Sequence, residues 1–407
     1  MNRNVASPLL AMAIALLVTM TARASSVVLE TGDTLRLDKV RLSLLTCAPG
    51  DEIYELFGHT AIRYENADNG ADIVFNYGMF SFDTPHFVWR FVKGETDYQL
   101  GITGFEWFWP EYHHRGSQIY EQELNLTDGQ KLSLLLALVE NYAPENRVYR
   151  YNFFYDNCTT RARDRIEEAV GAVVDYDKSL TATSFRTIVR QFAQGHEWSQ
   201  LGMDICIGSP ADAPIGVREA MFAPFYYKDF LDNAYYTDST GVRVKLAGTP
   251  RAIVSAADVA PQPWVPSPMM VFATLFVLTA AVCIIEWRIG KTLWGVDIIL
   301  FGAAGVCGLV VAFLVLFSTH PATSPNYMLL FTHPAHLLLM PFFIYKEVKR
   351  RKSYYHMANA AVIALFFAFI FVIPQEFNSA ILFLALSLLL RSVCYTLRTN
   401  CKKLTAA

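Results

Sequence analysis

The sequence predicts two parts in series, an exported α+β domain followed by an all-α membrane domain of five helices. Three observations predict it: a secretory leader opens the chain, uncharged apolar runs of spanning length fill its last third, and the stretch between alternates short strand patterns with helical segments. Of 407 residues, 53% are hydrophobic and 17% charged. A soluble chain is usually about a quarter charged, so part of this one avoids water. The formal net charge of −3 excludes a broad basic nucleic-acid surface. Seven cysteines in this length are too few for a disulfide-built scaffold.

Residues 1–24 read as a signal peptide. Arg3 supplies the positive start, Leu9 to Met20 the apolar run, and Ala22-Arg23-Ala24 the cleavage site before Ser25. An uncleaved anchor is the other reading, and either one exports the segment behind it. Residues 25–258 form the exported domain. Val27 to Leu45 alternates as extended strands, and Thr60–Tyr64 and Asp72–Tyr77 read as paired strands across the turn residues Asn66 to Gly70. Thr127 and Gln130 have capping-box spacing ahead of an apolar helix through Val139. Tyr149 to Phe154 reads as a further strand, and Cys158 opens a helical stretch to Val170.

Residues 259–268, with four prolines from Pro261 to Pro268, form a stiff connector. The membrane domain spans 269–397, with apolar runs at Met269–Ile285, Ile298–Phe317, Tyr327–Tyr345, Met357–Ile373 and Phe377–Leu390. A spanning helix needs about 20 residues. The fifth run reaches that length if it continues to Leu397 while Arg391 snorkels to the interface. With the exported domain outside, the inner segments hold Arg288, Lys291, Lys346, Lys349, Arg350, Arg351, Lys352, Arg391, Arg398, Lys402 and Lys403. The outer segments 318–326 and 374–376 hold no lysine or arginine, in keeping with the positive-inside rule. Residues 398–407 are then a cytoplasmic tail, and the expected location is a bacterial inner membrane, multi-pass, with the large domain in the periplasm.

Two places in the exported domain look chemical. His59 stands at the entrance of a strand, and Cys158 at a strand-to-helix junction. Unpaired N–H groups and the macrodipole at a helix start favour a thiolate, which lowers a thiol pKa from its reference near about 8.5. Arg161, Arg163 and Arg165 add positive potential within two turns. An imidazole nearby can take the thiol proton and later return it to a leaving group. On the residues alone, Cys158 is equally readable as a buried small hydrophobe or as half of a disulfide with Cys47 or Cys206. Three exported cysteines cannot all pair within one chain, so at least one is a free thiol.

At these residues the sequence resembles the exported domain of the DUF4105 family, through Gly58-His59-Thr60-Ala61, Asp156-Asn157-Cys158-Thr159-Thr160-Arg161, Gly208-Ser-Pro-Ala-Asp212 and Met221-Phe222-Ala-Pro224. With five carboxy-terminal spans behind such a domain, the mature chain resembles the Lnb-type bacterial lipoprotein N-acyltransferases. The order of histidine before cysteine resembles circularly permuted, papain-like NlpC/P60 enzymes, including the lecithin–retinol acyltransferase group. The resemblance implies an α+β papain-like exported domain with Cys158 as nucleophile and His59 as base. It also implies a third polar residue orienting the histidine from the next strand, where Asn76 stands and relatives often carry histidine. The implied reaction moves an acyl chain from a membrane phospholipid, through a Cys158 thioester, to the α-amine of a diacylglyceryl-cysteine lipoprotein. The implied partners are phospholipid, lipoproteins and the inner membrane. Neither cofactor, metal nor nucleic acid is expected.

Further candidates surround this dyad. Arg63, Asp156 and Arg161 are candidate substrate contacts by their place in the two motifs. Trp107 and Trp109, in an aromatic-dense run, suit a membrane interface or an acyl groove, and equally ordinary core packing. His320 and Asn326 in an outer loop and His333 in the third span are candidates for headgroup contact. Adjacent His113 and His114 have no carboxylate or thiol partners at metal-ligand spacing, and a zinc site is not expected. Two other functions use the same residues differently. A membrane-tethered hydrolase (phospholipase, thioesterase or peptidoglycan amidase) would keep the dyad, and a non-catalytic exported platform would make Cys158 structural.

Overall fold

A computed structural model describes residues 26–28, 34–81, 83, 85–176, 183–258 and 263–404. The expected signal peptide at 1–24 and residues 259–262 of the connector lie outside the described residues. The chain forms two compact units: residues up to Thr183 together with Pro214–Pro261, and Ser184–Ala213 together with Gln262–Ala407. Composition places all of 25–258 in one domain, and the assignment of Ser184–Ala213 departs from that expectation.

The first unit is built on a seven-stranded antiparallel sheet. Its strands are β1 (Val40–Cys47), β2 (His59–Asn66), β3 (Ala71–Met79), β4 (Asp97–Gly104), β5 (Ile119–Glu123), β6 (Val148–Arg150) and β7 (Arg251–Val254), in the spatial order β7-β5-β1-β2-β3-β4-β6. Central strand β1 is buried almost throughout, with Leu44, Leu45 and Cys47 closed from solvent, because both faces of the sheet are covered. After the short helix α1 (Phe87–Lys93), helix α2 (Phe105–His114) packs Phe108 and Tyr112 over Leu45, Cys47, Ala61 and Val74. Side chains alternate across a strand, so Thr60 points to the opposite face. There it meets helix α4 (Cys158–Val170) through Thr159. Helix α3 (Asp128–Tyr142) starts with the expected capping box, Thr127 and Gln130 bonding reciprocally. The strand expected over Tyr149–Phe154 is shorter than the sequence suggests. It ends at Arg150, and Asn152 and Asp156 close a tight turn by exchanging two backbone bonds of 2.9 Å, which aims the next residues into α4.

In the second unit, α5 (Phe185–Phe192) and α6 (Glu197–Cys206) wrap around one guanidinium. Arg186 is fully buried and donates to Asp212 at 2.7 Å, to Asp204 at 3.0 Å and to the carbonyls of Ile207 and Gly208. The segment then bonds to loops of the apolar helices. Gly208 N–H donates to Ala322 at 2.7 Å, Arg190 to Glu376 at 2.6 Å, and Asn378 to Asp204 at 3.0 Å. These partners lie far along the chain, so no local pattern marks this segment as part of the helical unit. Helix α7 (Pro224–Asp232) belongs to the first unit.

The expected five spans appear in altered form. Helices α8 (Pro268–Ile289), α9 (Trp294–Phe317) and α12 (Ser379–Leu404) are long and apolar enough to cross a membrane. The third apolar run breaks into Tyr327–Leu338 and α10 (Met340–Val348), bent by 72°. Pro341 explains the break, since it lacks an N–H and clashes with the preceding turn. Helix α11 (Tyr354–Phe369) has 16 residues, about 24 Å at 1.5 Å per residue, short of a hydrocarbon core near 30 Å. Among the described residues three helices are long and apolar enough to span, or four if the bent pair counts as one.

Arg391 does not snorkel. It is 1% exposed, and its guanidinium lies between helices, donating to Asp297 of α9 at 2.8 Å and to Glu286 of α8 at 3.0 Å. Arg398 adds a second bond to Glu286 at 2.7 Å. Two carboxylates from neighbouring helices neutralise the buried guanidinium.

Candidate active site

The site forms where the start of β2, the end of β3 and the start of α4 converge. Gly58 turns the chain into β2 with φ of +77°, and a Cβ there would lie 2.4 Å from the Cys47 carbonyl. Only glycine permits that approach, which seats His59 opposite Cys47 in the ladder. From β3, Asn76 Oδ1 meets His59 Nε2 at 2.5 Å. The amide oxygen can only accept, so Nε2 carries the proton and Nδ1 is left to face the thiol. Asn76 Nδ2 in turn donates to Met79 Sδ at 3.3 Å.

Cys158 is the first residue of α4. Asn157 caps that helix by accepting from the Thr159 and Thr160 amides at 2.9 Å each, while its Nδ2 donates to the Phe153 and Phe222 carbonyls. The Phe222 contact ties the Met221-Phe222-Ala-Pro224 motif to the cysteine turn. Thr60 and Thr159, each next to a dyad residue, share a hydrogen bond of 3.0 Å. That bond locks the histidine strand to the cysteine helix.

Gly78 is where the reacting groups meet. Its φ is +85°, and a Cβ placed on it would lie 3.5 Å from Cys158 Cβ, 3.9 Å from His59 Cε1 and 4.0 Å from Tyr149 Oη. The register of β3 against β4 shifts between Asn76 and Met79, a bulge that swings this glycine to the thiol. A glycine isolated inside a strand pattern is a recognised bulge signal, and it is the one trace in the sequence that marks this position. Tyr149 leaves no such trace.

The electrostatics draw both groups toward their charged forms. Burial works against a charged Cys158, but the charge of His59 and hydrogen bonds from His59, the Thr60 backbone and Thr159 outweigh it and hold the thiol below its ordinary range. Burial likewise opposes protonation of His59, yet the charge and hydrogen bond of Cys158, with Asn76, raise it above the usual imidazole value. The two shifts agree: thiolate and imidazolium stabilise each other. Cys47 moves the other way, because burial pushes its thiol up. Cys47, Cys158 and Cys206 are all free thiols, so the alternative of a disulfide between Cys158 and Cys47 or Cys206 is not realised. Iodoacetamide labelling of the Cys158 peptide, followed by mass spectrometry across pH, is therefore expected to rise at a lower pH than for an ordinary thiol. In His59→Ala the same curve moves upward past the ordinary range, since burial remains and its counter-charge is gone.

The remaining candidates separate clearly. Arg63 does not suit substrate contact: it is buried, donates to Asp72 at 2.7 and 2.8 Å and to Glu121 at 3.0 Å, and lies 3.7 Å over the Phe105 ring. Its charge sits on the sheet face, where carboxylates consume it. Asp156 grips Arg161 with two bonds of 2.6 and 2.8 Å, and Arg161 lies 3.6 Å over the Tyr149 ring, so this pair acts on a neighbour of the thiol. Trp107 is 68% exposed, whereas Trp109 packs against the α2 core. His320, Asn326 and His333 lie in the helical unit. Asn326 is buried, and three of its four hydrogen-bonding positions are taken: it donates to Ile205 O and accepts from Met328 N–H and Gln375. His333 stacks on His336 with ring centroids 3.9 Å apart. His320 is partly exposed, its N–H donating to Ser318.

A mixed α/β domain carrying a thiol and an imidazole at one glycine, joined to apolar helices long enough to span a bilayer, defines a membrane-anchored protein with a separate polar domain. The family model described as the Lnb N-terminal periplasmic domain matches residues 30–192, and the Lnb transmembrane domain matches 260–403. The chain belongs to the Lnb family, with a periplasmic and a transmembrane part. No curated protein and no solved structure matches it.

Proposed function

We propose that this chain is a lipoprotein N-acyltransferase of the bacterial inner membrane, working through a Cys158 thioester. The observation that carries the reading is the Cys158–His59–Asn76 arrangement, with the thiol held below and the imidazole above their ordinary ranges. The Cys158 sulfur attacks the ester carbonyl of a phospholipid, and protonated His59 gives its proton to the departing lysophospholipid oxygen. The free α-amine of a diacylglyceryl-cysteine lipoprotein then attacks the thioester. His59 takes the amine proton, the thiolate leaves, and an amide-linked third chain is formed. Membership of the Lnb family supports a membrane enzyme, and tethering by apolar helices suits two lipid substrates.

A hydrolase would use the same thiol with water as acceptor. The two readings part in a strain lacking other N-acyltransferases and supplied with the full chain. Mass spectrometry of a lipoprotein amino-terminal peptide is expected to show a third, amide-linked acyl chain. A peptide that stays diacylated while free fatty acid appears would overturn transfer in favour of hydrolysis.

A further inference from the structure

Tyr149 stands on edge strand β6 with its side chain buried, and its hydroxyl has no hydrogen-bond partner among the described residues. Leaving such a group unpaired costs its full desolvation, and phenylalanine would fill the same space without that cost. The neighbouring Tyr77 shows the ordinary solution, donating to Asn141 at 2.7 Å. Tyr149 Oη instead lies 4.0 Å from the point above Gly78 that Cys158 Cβ approaches to 3.5 Å. The absent glycine side chain leaves that space for a substrate atom.

The other donors at the turn are spoken for. Asn157 takes the Thr159 and Thr160 amides, and His59 Nε2 is bonded to Asn76. The Cys158 N–H, the first amide of that helix, is not among those the Asn157 side chain takes. Arg161, clamped by Asp156, lies over the Tyr149 ring and fixes it in place. Burial, chiefly, and the nearby Cys158 charge push the phenol well above its usual range, which favours its protonated, donating form.

We infer that Tyr149 is a catalytic oxyanion donor, its hydroxyl joining the Cys158 backbone N–H to receive the charge that develops on the acyl carbonyl oxygen. As the thiolate forms its bond to the carbonyl carbon, the carbonyl π pair moves onto oxygen, and the phenol donates a hydrogen bond without losing its proton. When the leaving group departs, the pair returns and the hydroxyl is idle again. A donor that is unpaired at rest and aimed at the reacting centre needs no reorganisation during the reaction. The inference rests on the thiol acting as a nucleophile toward acyl groups, not on which acceptor comes next.

The test is Tyr149→Phe in the full chain, with two rates measured on the same protein. Alkylation of Cys158 by iodoacetamide displaces iodide at carbon and builds no oxyanion, so its pH profile is expected to match the unaltered chain within about twofold. Acylation by a p-nitrophenyl ester, followed as the p-nitrophenol burst, passes through the oxyanion and is expected to slow about 10²-fold. Equal losses in both rates would show that the phenol only supports the fold around the thiol, and no loss in either would show that it does nothing; each result overturns the inference. A chain that takes the ester normally but adds no acyl chain to lipoprotein would instead sink the proposed function and leave Tyr149 standing.

Discussion

Cys158→Ser is expected to abolish lipoprotein N-acylation in a strain that has no other N-acyltransferase. The geometry around position 158 is tuned to a thiolate: His59, the Thr60 backbone and Thr159 all stabilise charge on the sulfur. A serine hydroxyl ionises far above a thiol, so the same partners would leave it a neutral, weak nucleophile. His59→Ala is expected to lower the rate by about 10²–10⁴, the usual contribution of a general acid–base group. Because the two residues act as one unit, the double variant should be little worse than Cys158→Ser alone. The amino-terminal lipoprotein peptide reports all three by mass. Full N-acylation in both single variants would remove the thiol from the mechanism.

The second large effect concerns the helical unit. Replacing Arg391 with methionine leaves Asp297 buried between helices without its counter-charge, and leaves Glu286 with Arg398 alone. Breaking a buried pair from one side costs about 3–5 kcal/mol. The unfolding temperature in detergent, read from loss of the folded elution peak, is expected to drop sharply for Arg391→Met. The combined variant Arg391→Met with Asp297→Asn should recover part of the loss, since removing both charges leaves no isolated ion. Arg398 stays bonded to Glu286 and neutralises the third member. If the double variant is worse than the single one, the guanidinium supports the bundle by some means other than charge balance.

What the chain declares in advance is local. A helix start announces itself through adjacent residues, so the Thr127–Gln130 box and the helix opening at Cys158 are readable, and the paired strands flanking Asn66–Gly70 come from alternation and a turn. The dyad partners sit on separate elements, and family likeness links them before any distance is known. Long-range burial stays hidden. Arg63 and Asn326 look like free polar groups in sequence and are consumed by partners up to 121 positions away. The place of Arg391 in an apolar run says nothing of two acids on other helices. Pro341 is visible throughout, yet hydropathy averages over it, and the third run breaks there.

The excursion of Ser184–Ala213 bears on how this protein can be divided. Trimming the chain at residue 258, the boundary that composition invites, would strand about thirty residues without a home. Arg190 would lose Glu376, Asp204 would lose Asn378, and Leu201 would be stripped of Phe301 and Phe331. A truncated periplasmic fragment would therefore carry a sticky, half-solvated insert through its middle, and insolubility in such a fragment would reflect the cut, not the catalytic fold.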